Sequence, residues 1–471
     1  MYDIIIIGAG SGGLNIAGFM AHVGLRILLI DRTDASIGGD CLNSGCIPSK
    51  SLIHIARTIA ESKKAAYYGM AFTGEVDIVS VMKDITNNIE MIRTHENAAH
   101  FRSLGIEVVL GHASFVSHNE VMVENVRYMG KKIIIATGSS PRELVLEGIE
   151  SAHVVTNESI FKITTLPKKL VVIGVGPIGI ELGQAFCMLG VDVTFVSNES
   201  RILPREQAQY AEVIHNAIVE QGGKFVYARN LVRIEKGNTL IVKDIVTNEE
   251  STISFDMMLV AIGREIHLEP LALEKAGVEV EKGKIVVNNY LQTTNKNIYL
   301  CGDVAGAYQF THAAELHAKV ILNNFFNPFF KKKITYDTFS WVTYTTPELA
   351  TFGLSEALLI EKDISYEKVT TTFIDDDRAI TEGATNGLSE IYIDTKTKRI
   401  LGGTMVAHNA GELVQEFIFA MEAKIPSTKF LDKIYPYPTA TRINKKLLSG
   451  YFAKRLTKNS TKLLHMLYRI I

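Results

Sequence analysis

The sequence predicts an α/β protein built around two doubly wound, Rossmann-like nucleotide-binding domains. Three observations predict it. A short apolar strand at residues 4–7 runs into Gly8-Ala9-Gly10-Ser11-Gly12-Gly13 and then a helical pattern. The same strand–glycine loop–helix pattern returns at residues 170–173 and Gly174-Val175-Gly176-Pro177-Ile178-Gly179. A length of 471 residues leaves room for two to four domains.

Residues 4–7 are all isoleucine, which suits a strand buried on both faces. In the loop that follows, Gly8 permits the tight turn, Gly10 lets backbone approach a pyrophosphate, and Gly13 lets helix pack on strand. The helix from about Leu14 and Ala17 offers its N-terminus to the phosphates. Residues 27–30 form a second strand, and Asp31 at its end is placed to accept hydrogen bonds from a ribose.

Shortly after comes Gly38-Gly39-Asp40-Cys41-Leu42-Asn43-Ser44-Gly45-Cys46-Ile47-Pro48-Ser49-Lys50, with two of only four cysteines. A disulfide needs Cα atoms about 4.4–6.8 Å apart. Residues five apart on a straight helix are separated by about 7.5 Å of rise and point in different directions. Cys41 and Cys46 therefore cannot share a regular helix and bond. Gly45 allows an unusual turn between them, and Pro48 suits the first turn of a helix starting near Cys46. A thiol at a helix N-terminus has its thiolate stabilised. Lys50, one turn on, adds a cation on the same face. The alternatives are two inert cysteines or half a zinc site, for which no matching Cys/His pair follows nearby.

The second glycine loop leads into a helix through Glu181 and Phe186, then a strand at 193–196. Two such loops about 165 residues apart imply two dinucleotides, one FAD and the other a nicotinamide cofactor. This strand ends in Ser197 instead of an acid. An acid would select the free 2′-hydroxyl of NAD, so its absence permits NADPH, with Arg201 as a phosphate partner. Gly179 keeps the three-glycine form more usual for NADH. The balance tips slightly to NADPH.

Composition narrows the function classes. Apolar content of 47% and charged content of 21% are ordinary for a globular protein. A net charge of −2 gives no nucleic-acid signature. Four cysteines are too few for a secreted disulfide scaffold. No secretory leader is visible, and no apolar run approaches the roughly 18 residues a membrane span needs. The cytoplasm is the expected compartment, where a close cysteine pair is more often catalytic than structural.

Together the two glycine loops, GGDCLNSGCIPSK and Tyr299-Leu300-Cys301-Gly302-Asp303 resemble the FAD-dependent pyridine nucleotide-disulfide oxidoreductases of class I. The branches most similar are dihydrolipoamide dehydrogenase and mercuric reductase. The resemblance covers essentially the whole chain. It implies an FAD domain in two parts (1–145 and 265–335), an NAD(P) domain between them (146–264) and a C-terminal α+β dimerisation domain (336–450). Segments 133–139 and 261–264 resemble the crossovers out of and back into the FAD domain. Residues 341–348 resemble the start of the dimerisation domain, and alternation in Ile391-Tyr392-Ile393 suggests strands there. Carried over residue by residue, Ala113, Thr137, Gly138, Gly302 and Asp303 join the FAD site, and Gly263 joins the NAD(P) site. Cys41 becomes the interchange thiol that meets substrate. Cys46 becomes the thiol in charge-transfer contact with the flavin. Lys50 lies near flavin N5, paired with Glu181 near the nicotinamide. The implied enzyme is a homodimer that passes electrons from NAD(P)H through a Cys41–Cys46 disulfide to a small molecule or metal ion.

The chain departs from that pattern near its end. The disulfide reductases carry a His there, with a Glu five residues on, and the His serves as acid and base across the dimer. Here Tyr437 and Arg442 occupy those positions. A phenol near pKa 10 is a poor base at neutral pH beside an imidazole near 6.5. Lipoamide or glutathione disulfide chemistry is therefore disfavoured. Mercuric reductase also has a Tyr there, but it carries a C-terminal cysteine pair that the residues here lack. Cys187 and Cys301 read as structural, His312 as a helix opener and Asp375-Asp376-Asp377 as a solvated turn. Residues 451–471 read as a basic amphipathic tail, packed on the dimer or touching an anionic membrane surface. A second function class, a flavoprotein that mainly binds a partner or membrane, stays open.

Overall fold

A computed structural model describes residues 1–306, 308–455 and 458–470. The chain divides into two compact units, Met1–Ser200 with Lys224–Ile334, and Arg201–Gly223 with Thr335–Ile471.

The first unit holds both nucleotide folds. Strand β1 (Tyr2–Ile7) lies between β2 (Ile27–Asp31) and the later strand Val126–Ile135, parallel to each, with Ile5 opposite Leu28 and Ile133. Glu107–Leu110 extends the parallel sheet beyond β2. Ile298–Leu300 returns to pair with Val126–Ile135, so a late segment completes the early sheet. Ile5 and Ile6 are fully buried because both faces of the sheet are covered. On one face lies α1 (Ser11–His22), which buries Ile16, Ala17 and Met20 in a core shared with Ala318 and Ile321.

A second parallel sheet orders Lys224–Val226, Asp192–Val196, Lys169–Ile173, Met257–Val260 and Val154–Val155. The fold class read from the glycine loops holds. Cys41 and Cys46 sit on α2 (Gly39–Asn43) and α3 (Cys46–Lys64), followed by α4 (Ile78–Arg93) and α5 (Ala98–Ser103). The remaining helices of use here are α6 (Pro177–Met188), α7 (Ala208–Glu220) and α8 (Thr311–Phe326).

The second unit is a five-stranded antiparallel sheet in the order 340–343, 348–353, 400–407, 388–394, 366–372, covered by helices on an apolar core around Phe352, Ile391 and Phe417. One boundary differs from the sequence expectation. Residues 201–223, expected inside the NAD(P) domain, group with this unit. The reason is a set of buried polar ties. The Glu206 carboxylate accepts from Trp341 Nε1 at 2.6 Å and Thr351 Oγ1 at 2.7 Å, and Gln207 Nε2 donates to Glu390 Oε1 at 3.0 Å.

The tail boundary also moves. Helix Arg442–Ala453 runs past residue 450 and buries Ile443, Leu447, Leu448 and Tyr451 in the core. Helix Lys458–Tyr468 instead leaves Leu463, Leu464 and Leu467 about half exposed. Among the described residues, no helix is long and apolar enough to cross a membrane.

Candidate active site

The geometry of the cysteine segment follows from its glycines. Gly38 caps α2 at φ +91°, in the left-handed region that favours glycine. Gly45 separates α2 from α3 at φ −114°, ψ −111°, and a Cβ there would stand 2.8 Å from the Asp40 carbonyl and from Asp40 Oδ2. The chain reverses there, so Cys41 and Cys46 fall on different helices and meet. Both are free thiols, half buried, with Cys46 the first residue of α3.

The two sulfurs have opposite proton affinities. A hydrogen bond from Cys41 lowers the Cys46 thiol to about 6, helped by Thr311 and by the Lys50 charge. The same hydrogen bond, with burial and the charges of Cys46 and Glu96, pushes the Cys41 thiol up. Thr311 Oγ1, at the start of α8, lies 3.3 Å from Cys46 Sγ. In the reduced pair the proton is therefore favoured on Cys41 and the negative charge on Cys46.

One turn into α3, Lys50 Nζ lies 2.6 Å from Glu181 Oε2 on α6 and 3.3 Å from Ser49 Oγ. Glu181 is 7% exposed, so this ion pair ties the helix of the thiols to the helix after the second glycine loop. Asp40 makes a second tie. Its carboxylate accepts from Ser44 Oγ at 2.8 Å and Asn157 Nδ2 at 3.3 Å, and faces Arg264 Nη1 at 3.4 Å. Arg264 also donates to Ser139, whose hydroxyl donates to Asp303 at 2.6 Å. Burial raises the Asp303 carboxyl above the usual carboxylate range.

The glycine loops fit dinucleotides. A Cβ on Gly8 would overlap the Ala136 carbonyl, and one on Gly13 the Gly8 carbonyl. The middle glycines differ: in front of Gly10 the nearest atom is Gly39 Cα at 3.7 Å, and in front of Gly176 nothing lies within 4 Å. Neither α1 nor α6 has a side-chain cap, which leaves first-turn N–H groups for a phosphate. Asp31 accepts from Ala9 N–H at 2.6 Å and Ser36 Oγ at 2.5 Å. Gly138, Gly263 and Gly302 all take positive φ, and Ala113 is buried.

Three further expected residues, Arg201, Ser197 and Tyr437, have surroundings of their own. The four terminal N–H groups of Arg201 are committed to the carbonyls of Ile202, Leu203, Pro204 and Glu206. Arg201 is thus a loop brace and does not fit the role of phosphate partner, while Ser197 Oγ caps its own turn, 3.1 Å from Glu199 N–H. Tyr437 belongs to the second unit and is 68% exposed, with the Arg442 guanidinium 5.2 Å above its ring.

Sequence reasoning missed Asp40, Arg264 and Thr311, which act through contacts distant in the chain. It also missed His317, whose buried Nδ1 accepts from Gly302 N–H at 3.1 Å. Helix α8 opens at Thr311, next to His312, and it is Thr311 that carries the contact to sulfur.

Comparison with known proteins identifies the family. The family model "Pyridine nucleotide-disulphide oxidoreductase" matches residues 2–318, and the dimerisation domain of that family matches 339–447. A mercuric reductase of Lysinibacillus sphaericus is 31% identical over 98% of this chain and 84% of its own. Dihydrolipoyl dehydrogenase 2 of Arabidopsis thaliana mitochondria is 32% identical over 96% of this chain and 90% of its own. The HOCl-induced flavoprotein disulfide reductase RclA of Escherichia coli superposes with a TM-score of 0.83, at 27% identity, over 95% of this chain and 99% of RclA. These relatives are enzymes and give no support to a purely binding role. The chain belongs to the pyridine nucleotide-disulphide oxidoreductase family, as an FAD- and NAD(P)H-dependent enzyme whose dimerisation domain makes it a homodimer.

Proposed function

We propose that this enzyme passes electrons from NAD(P)H to a thiophilic metal ion, mercuric or cupric, through Cys41 and Cys46. The observation that carries the reading is a pair of free thiols, Cys41 and Cys46, with the Cys46 thiol lowered by its neighbours, in a chain that has Tyr437, and no imidazole, at the expected acid–base position. Reducing a disulfide needs protons delivered to leaving thiolates, whereas a metal ion needs thiolates and little proton delivery. Mercuric reductases and a Cu(II) complex of RclA stand among the similar proteins.

Gly8, Gly10, Gly13, Asp31, Ala113, Thr137, Gly138, Gly302 and Asp303 would hold FAD, and Gly174, Gly176, Gly179, Ser197 and Gly263 the nicotinamide cofactor. When bound, FAD supplies hydride acceptance and two-electron exchange with the thiols. Lys50, fixed by Glu181, places a cation beside the Cys46 thiolate. Cys41 meets the acceptor. As the S–S bond between Cys41 and Cys46 forms, two electrons pass to one mercuric ion or to two cupric ions, and the Cys41 proton leaves to solvent. Domain roles follow the boundaries given above, with residues 201–223 reassigned. Contact of the tail with an anionic membrane surface rests on the exposed leucines of helix Lys458–Tyr468. Truncation after Arg455 that leaves liposome binding unchanged would remove that reading.

The test is an acceptor screen with NADH and NADPH in parallel, covering mercuric and cupric ions, lipoamide, glutathione disulfide and quinones. Metal-dependent NAD(P)H oxidation, abolished by Cys41→Ser, is the expected result. Robust lipoamide turnover would overturn it.

A further inference from the structure

Glu96 lies on the loop between α4 and α5, and its half-buried carboxylate faces the helix that carries Cys41. A Cβ on Gly38, the cap of α2, would stand 2.8 Å from Glu96 Oε2. Three ties from the same chain hold this loop there. Arg93 Nη2 donates to Asn43 Oδ1 at 2.6 Å, Arg93 Nη1 to the Ala35 carbonyl at 3.3 Å, and Ala98 N–H to Asp34 Oδ1 at 2.7 Å. Among the described residues, no hydrogen bond or ion pair engages the Glu96 carboxylate, and Arg93, the cation whose charge reaches it, is occupied by Asn43, Ala35 and Glu90.

The neighbouring charges are already spoken for. Asp40 faces Arg264, and Lys50 pairs with Glu181. The negative charge of Glu96 is felt at Cys41, where it adds to the rise in proton affinity. A molecule approaching the partly buried Cys41 enters the same field.

We propose that Glu96 sets the charge of the acceptor, favouring cationic over anionic molecules at Cys41. The inference deepens the metal-ion reading above and rests on Cys41 being the thiol that meets the acceptor. Its chemistry is Coulombic: one unit charge a short distance from a partly desolvated site discriminates opposite charges by about tenfold. The effect weakens as salt rises.

The test traps Cys41 with small methanethiosulfonates of opposite charge, one bearing a trimethylammonium and one a sulfonate, in FAD-loaded Cys46→Ser enzyme. The Cys41 thiolate attacks the reagent sulfur, a mixed disulfide forms and methanesulfinate leaves, so no turnover is needed. The cation-to-anion rate ratio cancels any change in thiol reactivity. Retention of FAD shows that each variant folds. The ratio should favour the cation by about tenfold, fall several-fold in Glu96→Gln and invert in Glu96→Lys. A ratio unchanged in both variants overturns the proposal. If the ratio moves as expected but no metal ion supports NAD(P)H oxidation, the metal-ion reading fails alone. If metal ions are reduced and the ratio does not move, this inference fails alone.

Discussion

The two glycine loops have nearly the same backbone and different endings. Gly8 and Gly174 both sit at φ +106°, and Gly10 and Gly176 cap their helices at φ −84°, ψ −176° and φ −74°, ψ 177°. In each, the third glycine packs on the carbonyl of the first. The strand after the first loop ends in Asp31, whose carboxylate is pulled back onto Ala9 N–H. The strand after the second ends in Ser197, a neutral side chain that closes its own turn. The shared part can serve any pyrophosphate, since it offers only N–H groups and open space. What separates the sites is one side chain at a strand end and the helix each loop is tied to.

The largest expected effect breaks the shared part. Gly8→Val forces a branched residue to φ +106° against the Ala136 carbonyl, and the purified protein should lack flavin absorbance. Gly174→Val carries the same defect, yet it should keep FAD and lose flavin reduction by NAD(P)H by about a hundredfold or more. Loss of FAD from both variants equally would show that the loops are not independent.

A smaller effect cuts the link between them. Lys50→Met leaves Glu181 a buried carboxylate without its cation. Because Lys50 is itself one-third exposed, the cost should be discounted to about 1–3 kcal/mol, read as a lower melting temperature of the holoenzyme. Glu181→Gln, which leaves only a partly solvated lysine, should cost less.

Smaller again is the change at the strand end. Ser197→Glu should shift the NADH-to-NADPH ratio of kcat/KM toward NADH by about tenfold, because a carboxylate repels a 2′-phosphate. An unchanged ratio would place nucleotide selection elsewhere.

The smallest effect concerns pH. With its thiol lowered to about 6, Cys46 is a thiolate above that pH and is protonated as pH falls through it. The long-wavelength thiolate–flavin band of the reduced enzyme should therefore fade near pH 6. Thr311→Ala removes one hydrogen bond worth about 1 kcal/mol, so the midpoint should rise by less than about one pH unit.

The endings of the loops also show what was legible in the sequence. Isoleucine runs and glycine spacing are local signals, and each becomes the expected strand or loop. The Cys41–Cys46 pair is local too, because Gly45 and Pro48 encode the break between helices. Arg201 failed for a local reason of a different kind: charge and position are visible, but four backbone carbonyls that consume its N–H groups are not. Asp40, Thr311 and Glu96 are invisible for a third reason. Their partners lie on other elements, and only folding brings Thr311, 265 residues away, to the Cys46 sulfur.

The central claim is that electrons leave the flavin through Cys41 and Cys46. Anaerobic titration of the holoenzyme with NAD(P)H tests it most directly. Wild type should take up twice the electrons of Cys41→Ser before the flavin bleaches, and should pass through the thiolate–flavin band on the way. Equal uptake by both proteins, with no such band in wild type, would contradict the account.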